Sequence, residues 1–181
     1  MKILITGKST LANILQERYL DTTSCRIEDI LRGEIVLDEY DIFINYAHVG
    51  FKQVELLEYV FNEWKADTSK LIINISSRAA QPNISCGYMY AAQKAALNHY
   101  ANNLTYNCIS KQCRITTLNL GLMPHAYSKL PSLDWGHAYE MIKTIINTDV
   151  DIPDLTMQHS YNYKMLQQDK GIYPVSYTHL R

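Results

Sequence analysis

The chain has 181 residues, 47% of them apolar, enough for one domain with a proper core and too apolar for a disordered segment. Its formal net charge is −1, with acidic and basic residues interspersed, which argues against nucleic acid or an anionic membrane as the main partner. No apolar run is long enough to cross a bilayer and no signal peptide is read at the start, so a cytoplasmic location is expected.

Strand and helix patterns alternate along the chain. Lys2–Thr6 (KILIT) is a short β-rich run that stops at Gly7. Leu11, Ile14, Leu15 and Tyr19 recur at helical spacing, which predicts a helix over Thr10–Leu20. Thr22–Ile27 reads as a weaker strand and Glu34–Leu37 as a short one. Asp41–Asn45 (DIFIN) is a buried strand, and Val54, Leu57, Val60 and Phe61 mark a helix over Phe51–Trp64. Leu71–Ile75 (LIINI) is another buried strand, followed by a long alanine-rich helix over Tyr88–Asn107. Arg114–Asn119 predicts a strand, Trp135–Asn147 a helix, and Asp154–His159 a last strand. Uninterrupted apolar strands separated by amphipathic helices predict a doubly wound α/β fold, a Rossmann-like parallel sheet covered on both faces. In such folds the ligand lies at the C-terminal ends of the strands.

One domain is expected over residues 1–174. The tail VSYTHLR (Val175 to Arg181) resembles translated adapter sequence, and is set apart as a non-native tail over 175–181. The loop around His125–Asp134 is long enough to cover a site. The four cysteines, Cys25, Cys86, Cys108 and Cys113, form no CxxC pair and are expected as reduced, partly buried thiols. The histidines His99, His125, His137 and His159 have no metal-ligand spacing, so no metal is expected.

The opening MKILITGKST holds TGKST, which fits two kinds of phosphate loop. A P-loop needs G-x-x-x-x-G-K-[ST] after a strand. Counting back five from Gly7 reaches Lys2, inside the strand itself, which disfavours an NTPase. The alternative is the turn of a dinucleotide-binding fold, whose backbone and helix N-terminus face the pyrophosphate. Gly7 fills its first glycine, while Thr10 and Asn13 stand where two more are expected. A plain strand-to-helix turn capped by Ser9 or Thr10 explains the stretch equally well.

Three later stretches separate these readings. In INISSRAA, Ser76 and Ser77 follow a buried strand, at the sheet edge where sites of this fold lie. In YMYAAQKAAL, Tyr90 and Lys94 are four apart on a helix and share a face. Leu97, Ala101, Leu104 and Cys108 continue that face, so Lys94 is in line with a buried stripe and requires a partner. INYAHVG forms a polar turn at another strand end, where Asn45 can hold neighbouring strands by hydrogen bonds.

With these stretches in order, the sequence resembles the short-chain dehydrogenase/reductase family from Met1 to about Gly121. TGKSTLA resembles the family's glycine turn, and NYAH its N-[NA]-A-G motif with His48 in place of glycine. ISS followed by Y-x-x-x-K resembles its active-site signature, with matching Ser77-to-Tyr90 spacing. LNLGLM resembles its N-P-G turn, with Leu120 in place of proline. The start MKILITGKSTLA also resembles the dTDP-sugar reductase and epimerase branch. The family's helix asparagine after this motif has no early counterpart, and Asn62 is too far along the helix.

The resemblance implies an NAD(P)-dependent oxidoreductase that transfers a hydride between nicotinamide and a carbonyl or alcohol substrate. Tyr90 would be the acid/base. A free tyrosine titrates near ~10, so it needs a cation such as Lys94 to work at neutral pH. Ser77 would hydrogen-bond the substrate oxygen, and Ser77, Tyr90 and Lys94 are the implied catalytic residues. The implied cofactor-binding residues are Gly7, Lys8, Ser9, Thr10, Leu11, Arg26, Asn45, Ala47, Tyr90, Lys94 and Gly121. Lys8 and Arg26 favour NADP over NAD, with Glu28 or Asp29 as the opposing diol-binding carboxylates. The partners expected are a small-molecule substrate and a second copy in a homodimer through the helices Phe51–Trp64 and Tyr88–Asn107, with Tyr100 and Tyr106 as anchors. Two other functions stay open: a non-catalytic NAD(P)-binding sensor or scaffold, and a nucleotide-sugar reductase or epimerase.

Overall fold

The computed structural model describes residues 1–19, 21–81, 87–124 and 131–160. Six strands form one parallel sheet: β1 (Ile3–Thr6), β2 (Thr22–Cys25), β3 (Ile42–Asn45), β4 (Leu71–Ser77), β5 (Arg114–Leu120) and β6 (Asp154–Met157). Their order is β2-β1-β3-β4-β5-β6, and every neighbouring pair is parallel. The order reverses between β1 and β3, the switch point at which folds of this kind open a crevice for a ligand.

The helices are α1 (Thr10–Arg18), α2 (Ile27–Leu31), α3 (Lys52–Trp64), α4 (Tyr88–Asn107) and α5 (Trp135–Asn147). Alternation along each strand divides the core between the two faces. Ile3, Ile5, Ile42, Ile44, Ile73 and Ile75 pack against Leu11 and Leu15 of α1 and Ile142 and Ile145 of α5. Leu4, Phe43, Ile72 and Ile115 pack against Leu57, Val60 and Trp64 of α3 and Leu97 and Ala101 of α4. Strands buried on both sides explain the unbroken apolar runs and confirm the doubly wound class.

Several element ends shift by a residue or two, β6 stopping at Met157 rather than His159, and three departures from the sequence expectation shape the fold around the site. The second strand stops at Cys25, because Ile27 opens α2 instead of extending it. The Asp29 carboxylate takes the Arg26 backbone N–H at 3.0 Å, which starts the helix, and Ile27 and Ile30 turn down into the core. Glu34–Leu37 is not a strand. Gly33, at φ +71°, ends α2, and only Leu37 is buried, at the start of a 3₁₀ turn over Leu37–Glu39. The fourth strand runs two residues further than expected, so Ser76 and Ser77 belong to it, paired with Asn119 and Leu120.

Cys25, Cys108 and Cys113 are free thiols. Cys86, His125, part of the His125–Asp134 loop and the tail 175–181 lie outside the described residues. Among the described residues, no helix is long and apolar enough to cross a membrane.

Candidate active site

The C-terminal ends of β1, β3, β4 and β5 meet at one edge of the sheet. Gly7 follows β1 with φ +83°, a conformation that favours glycine, and a side chain there would put its Cβ 3.1 Å from that of Ala47. Two hydroxyls brace this turn. Ser24 Oγ donates to the Gly7 carbonyl at 2.8 Å, and Thr6 Oγ1 accepts the N–H groups of both Tyr46 and Ala47 at 2.9 Å. The turn leads into α1, where Ser9 is the N-cap and accepts from the Ala12 N–H at 3.1 Å. Leu11 is fully buried, so only its backbone faces the turn, whereas Lys8, Thr10 and Asn13 are exposed. Arg26 is exposed just past β2.

Asn45 ends β3 and lies beneath the site, wholly buried. Its Nδ2 donates to the Gln53 carbonyl at 2.8 Å and to Asn74 Oδ1 at 3.1 Å, so it ties β3 to β4 and to α3. That is the strand-holding role foreseen for Asn45. Its Nδ2 is thus engaged within the protein, while its Oδ1 is buried without a hydrogen-bond partner among the described residues.

On α4, Lys94 is 3% exposed, and its Nζ donates to Gln53 Oε1 at 2.6 Å and to the Ile75 carbonyl at 2.9 Å. Both partners are neutral, and burial pushes the ammonium down to about 8. One turn earlier, the Tyr90 ring packs edge-on against His48, with centroids 4.9 Å apart. His48 Nε2 meets Gln93 Oε1 at 2.9 Å. Burial, and then the Lys94 charge, hold His48 below the usual imidazole range, with the Gln93 bond opposing them. Ser77 Oγ accepts the Ala79 N–H at 3.1 Å, which leaves the hydroxyl proton available.

Ser77, Tyr90 and Lys94 line one open cleft of about 260 Å³, together with His48, Ser76 and Gly121. Tyr46 and Trp135 complete its wall with ring centroids 6.1 Å apart. Gly121 is required as glycine: a Cβ there would meet the Met157 carbonyl at 3.0 Å and Gln158 Cβ at 2.9 Å. The three residues proposed for catalysis therefore converge, and Gly7, Lys8, Ser9 and Thr10 lie at the adjoining turn.

These features fit a dinucleotide. A positive-φ glycine turn leads into a capped helix N-terminus, which suits a pyrophosphate. Next to it opens a cleft holding a buried cation and the Ser76 hydroxyl, which is buried without a hydrogen-bond partner among the described residues. Sequence reasoning missed Thr6, Ser24, Tyr46, Gln53 and Trp135. Gln53, 41 residues from Lys94, carries no local pattern that would expose it.

Residues 37–129 match the family model described as short chain dehydrogenase. The chain belongs to the short chain dehydrogenase family, an oxidoreductase family. Among solved structures, it is similar to serine dehydrogenase from Escherichia coli, with TM-score 0.71 and 16% identity over 88% of this chain and 98% of the other. It is also similar to an alcohol dehydrogenase from the archaeon Thermococcus sibiricus complexed with 5-hydroxy-NADP, with TM-score 0.68 and 14% identity over 89% and 97%. A third is a short chain dehydrogenase from Leptospira borgpetersenii serovar Hardjo-bovis with bound NAD+, with TM-score 0.69 and 16% identity over 86% and 90%. At these identities the likeness bears on the fold. No curated protein matches the sequence.

Proposed function

We propose that this protein is an NAD(P)-dependent oxidoreductase acting on a carbonyl or alcohol substrate, with Tyr90 as acid/base. The carrying observation is that Ser77, Tyr90 and Lys94 line one cleft, with Lys94 buried beside the Tyr90 ring. When bound, the nicotinamide supplies or accepts the hydride. Tyr90 gives its phenolic proton to the substrate oxygen in reduction and takes it back in oxidation. Lys94 stabilises the tyrosinate left behind. The Ser77 hydroxyl donates to the same substrate oxygen and holds its developing charge. The backbone N–H groups at the start of α1 and the turn at Gly7, packed against Ala47, would hold the pyrophosphate.

NADP(H) is the favoured cofactor. Lys8 and Arg26 are exposed beside the turn, while the Asp29 carboxylate is engaged by the Arg26 backbone. Similar structures hold NADP+ in one case and NAD+ in another, so the choice rests on these local charges. Assays of NADPH and NADH oxidation at 340 nm with a panel of small aldehydes and ketones test the activity. No turnover and no binding of either nucleotide would refute it. Thermal-shift titration tests the preference: stronger stabilisation by NAD(H), unaffected by Lys8→Ala and Arg26→Ala, points instead to Glu28.

The assembly proposed is a homodimer through α3 and α4. Tyr106 is exposed on α4 and available as an anchor, whereas Tyr100 is half-buried, with Glu58 of its own chain nearby. Light scattering at micromolar concentration distinguishes dimer from monomer.

A further inference from the structure

We infer that Gln53 is a positioning residue that aims the Lys94 ammonium into the cleft. The inference rests on the oxidoreductase reading of that cleft.

The side chain of Gln53 is 2% exposed and enters the sheet edge where β3 and β4 part. The last β3–β4 pair is Asn45 with Asn74. Beyond it the β3 chain turns off toward Thr6, and the carbonyls of Asn45 and Ile75 lack a strand between them. Gln53 Nε2 fills that gap, donating to the Asn45 carbonyl at 2.8 Å and the Ile75 carbonyl at 3.3 Å, with the Tyr46 carbonyl at 3.4 Å. Its Oε1 faces the other way and accepts from Lys94 Nζ at 2.6 Å. The amide can sit only this way round, because the flipped rotamer would set an N–H against the ammonium and an oxygen against carbonyls.

The consequence for Lys94 follows from its donor count. An ammonium has three N–H bonds in a fixed tetrahedral fork. Held by the Ile75 carbonyl alone, it would still rotate about that bond. Held by Gln53 as well, its rotation is fixed and the third N–H has one direction. Nζ stands 5.7 Å from the Tyr90 ring centroid at the wall of the cleft. Only an amide of this length meets both demands. Glutamate would lose the donor that faces the carbonyls and would neutralise the ammonium. Asparagine is one methylene shorter than the span requires. Methionine fills the volume and makes neither bond.

The test uses the full chain with ¹³Cε-labelled lysine, the Lys94 signal being assigned by its loss in Lys94→Met. Gln53→Met removes an acceptor that favours the charged form, so the Lys94 titration midpoint is expected to fall by about one pH unit. Gln53→Glu is expected to raise it by at least as much. The NADP+ dissociation constant at pH 7, by calorimetry, is expected to rise about tenfold in Gln53→Met, the cost of a misdirected charged donor. Unmoved Lys94 midpoints in both variants overturn the inference, and so does wild-type NADP+ affinity in Gln53→Met with its midpoint shifted. If Gln53→Met does not fold, the Gln53→Glu midpoint decides alone. A wild-type protein that binds no NADP+ refutes the oxidoreductase reading, while the titration still decides whether Gln53 holds Lys94.

Discussion

Lys94 Nζ stands 5.7 Å from the centre of the Tyr90 ring, one helical turn away on α4. The cation is buried and has no carboxylate among its hydrogen-bond partners, which are Gln53 and the Ile75 carbonyl. Its charge is therefore uncompensated, and the nearest group that can become an anion on the same helix face is the Tyr90 hydroxyl. Tyr90→Phe keeps the ring that packs against His48 and removes only the hydroxyl. Turnover is expected to fall about 10²–10⁴-fold, the usual worth of a positioned general acid. NADPH binding, followed by fluorescence, should stay within about twofold of wild type. Undiminished activity would remove Tyr90 from the mechanism.

The same burial makes stability depend on pH. The folded-state value of Lys94 is lowered from 10.5 to about 8. Below pH 8 both folded and unfolded states carry its proton, and folding bears the full cost of the buried charge. Between about 8 and 10.5 the unfolded chain holds more protons than the folded one, so stability due to this group rises with pH. The separation corresponds to roughly 1.4 kcal/mol per unit. Lys94→Met has no such term. Wild-type Tm measured against that of the variant is expected to gain steadily from pH 8 to pH 10. A constant difference over that range would contradict the burial of the charge.

Much of this arrangement was legible in the chain because it is written locally. The runs ILIT, IFIN and LIINISS are apolar on both faces, as strands covered on both sides must be. Lys94 declared itself by standing in line with Leu97 and Ala101, both buried. What escaped was tertiary or too short to show a period. Helix α2 has five residues, less than two turns, so the apolar Ile27 and Ile30 could equally extend a strand. Thr6 and Ser24 act through hydroxyl bonds to backbone far along the chain, and many threonines and serines look the same in sequence. Tyr46 and Trp135 meet only because β3 ends and α5 begins at the same edge of the sheet. The bonds by which Asn45 ties Gln53 and Asn74 together appear only in the packing.

Gly121 should tolerate no side chain. It follows β5 and donates its N–H to the Met157 carbonyl at 2.7 Å, and an added Cβ would meet the backbone of Met157 and Gln158 at 3.0 Å. Gly121→Ala must push β6 away from β5, at a cost of about 1–3 kcal/mol for overpacking. Calorimetry is expected to show Tm lower by roughly 3–10 °C. A Gly33→Ala variant serves as the contrast: nothing lies within 4 Å of its Cβ position, and its cost comes from φ +71° alone. Equal losses in the two would argue against the close approach at Gly121.

His48 is the departure from the family motif with the clearest consequence. Its ring forms one wall for Tyr90, at 4.9 Å and 74° between planes, and Gln93 holds its Nε2 at 2.9 Å. Its proton affinity is lowered by burial and by the Lys94 charge, so at pH 7 it packs as a neutral ring. His48→Gly restores the family residue and removes that wall. An edge-on ring pair is worth about 0.5–1.5 kcal/mol, so kcat is expected to fall about twofold to tenfold at pH 7 as Tyr90 loses its fixed orientation. His48→Phe keeps a ring and should retain most of the rate. The pH dependence separates packing from charge. Only at pH more acidic than the ordinary imidazole value near 6.5 does wild-type His48 gain a proton and become a second cation beside Lys94. Neither the glycine nor the phenylalanine variant can do so. Because His48 is held below the ordinary imidazole range, the ratio of wild-type to His48→Phe activity is expected to hold steady through neutral pH and to decline only at pH more acidic than a free imidazole would require. Parallel profiles across that range would mean that the imidazole contributes its shape alone, and equal rates for His48→Gly and wild type at pH 7 would mean that Tyr90 is held by α4 without it.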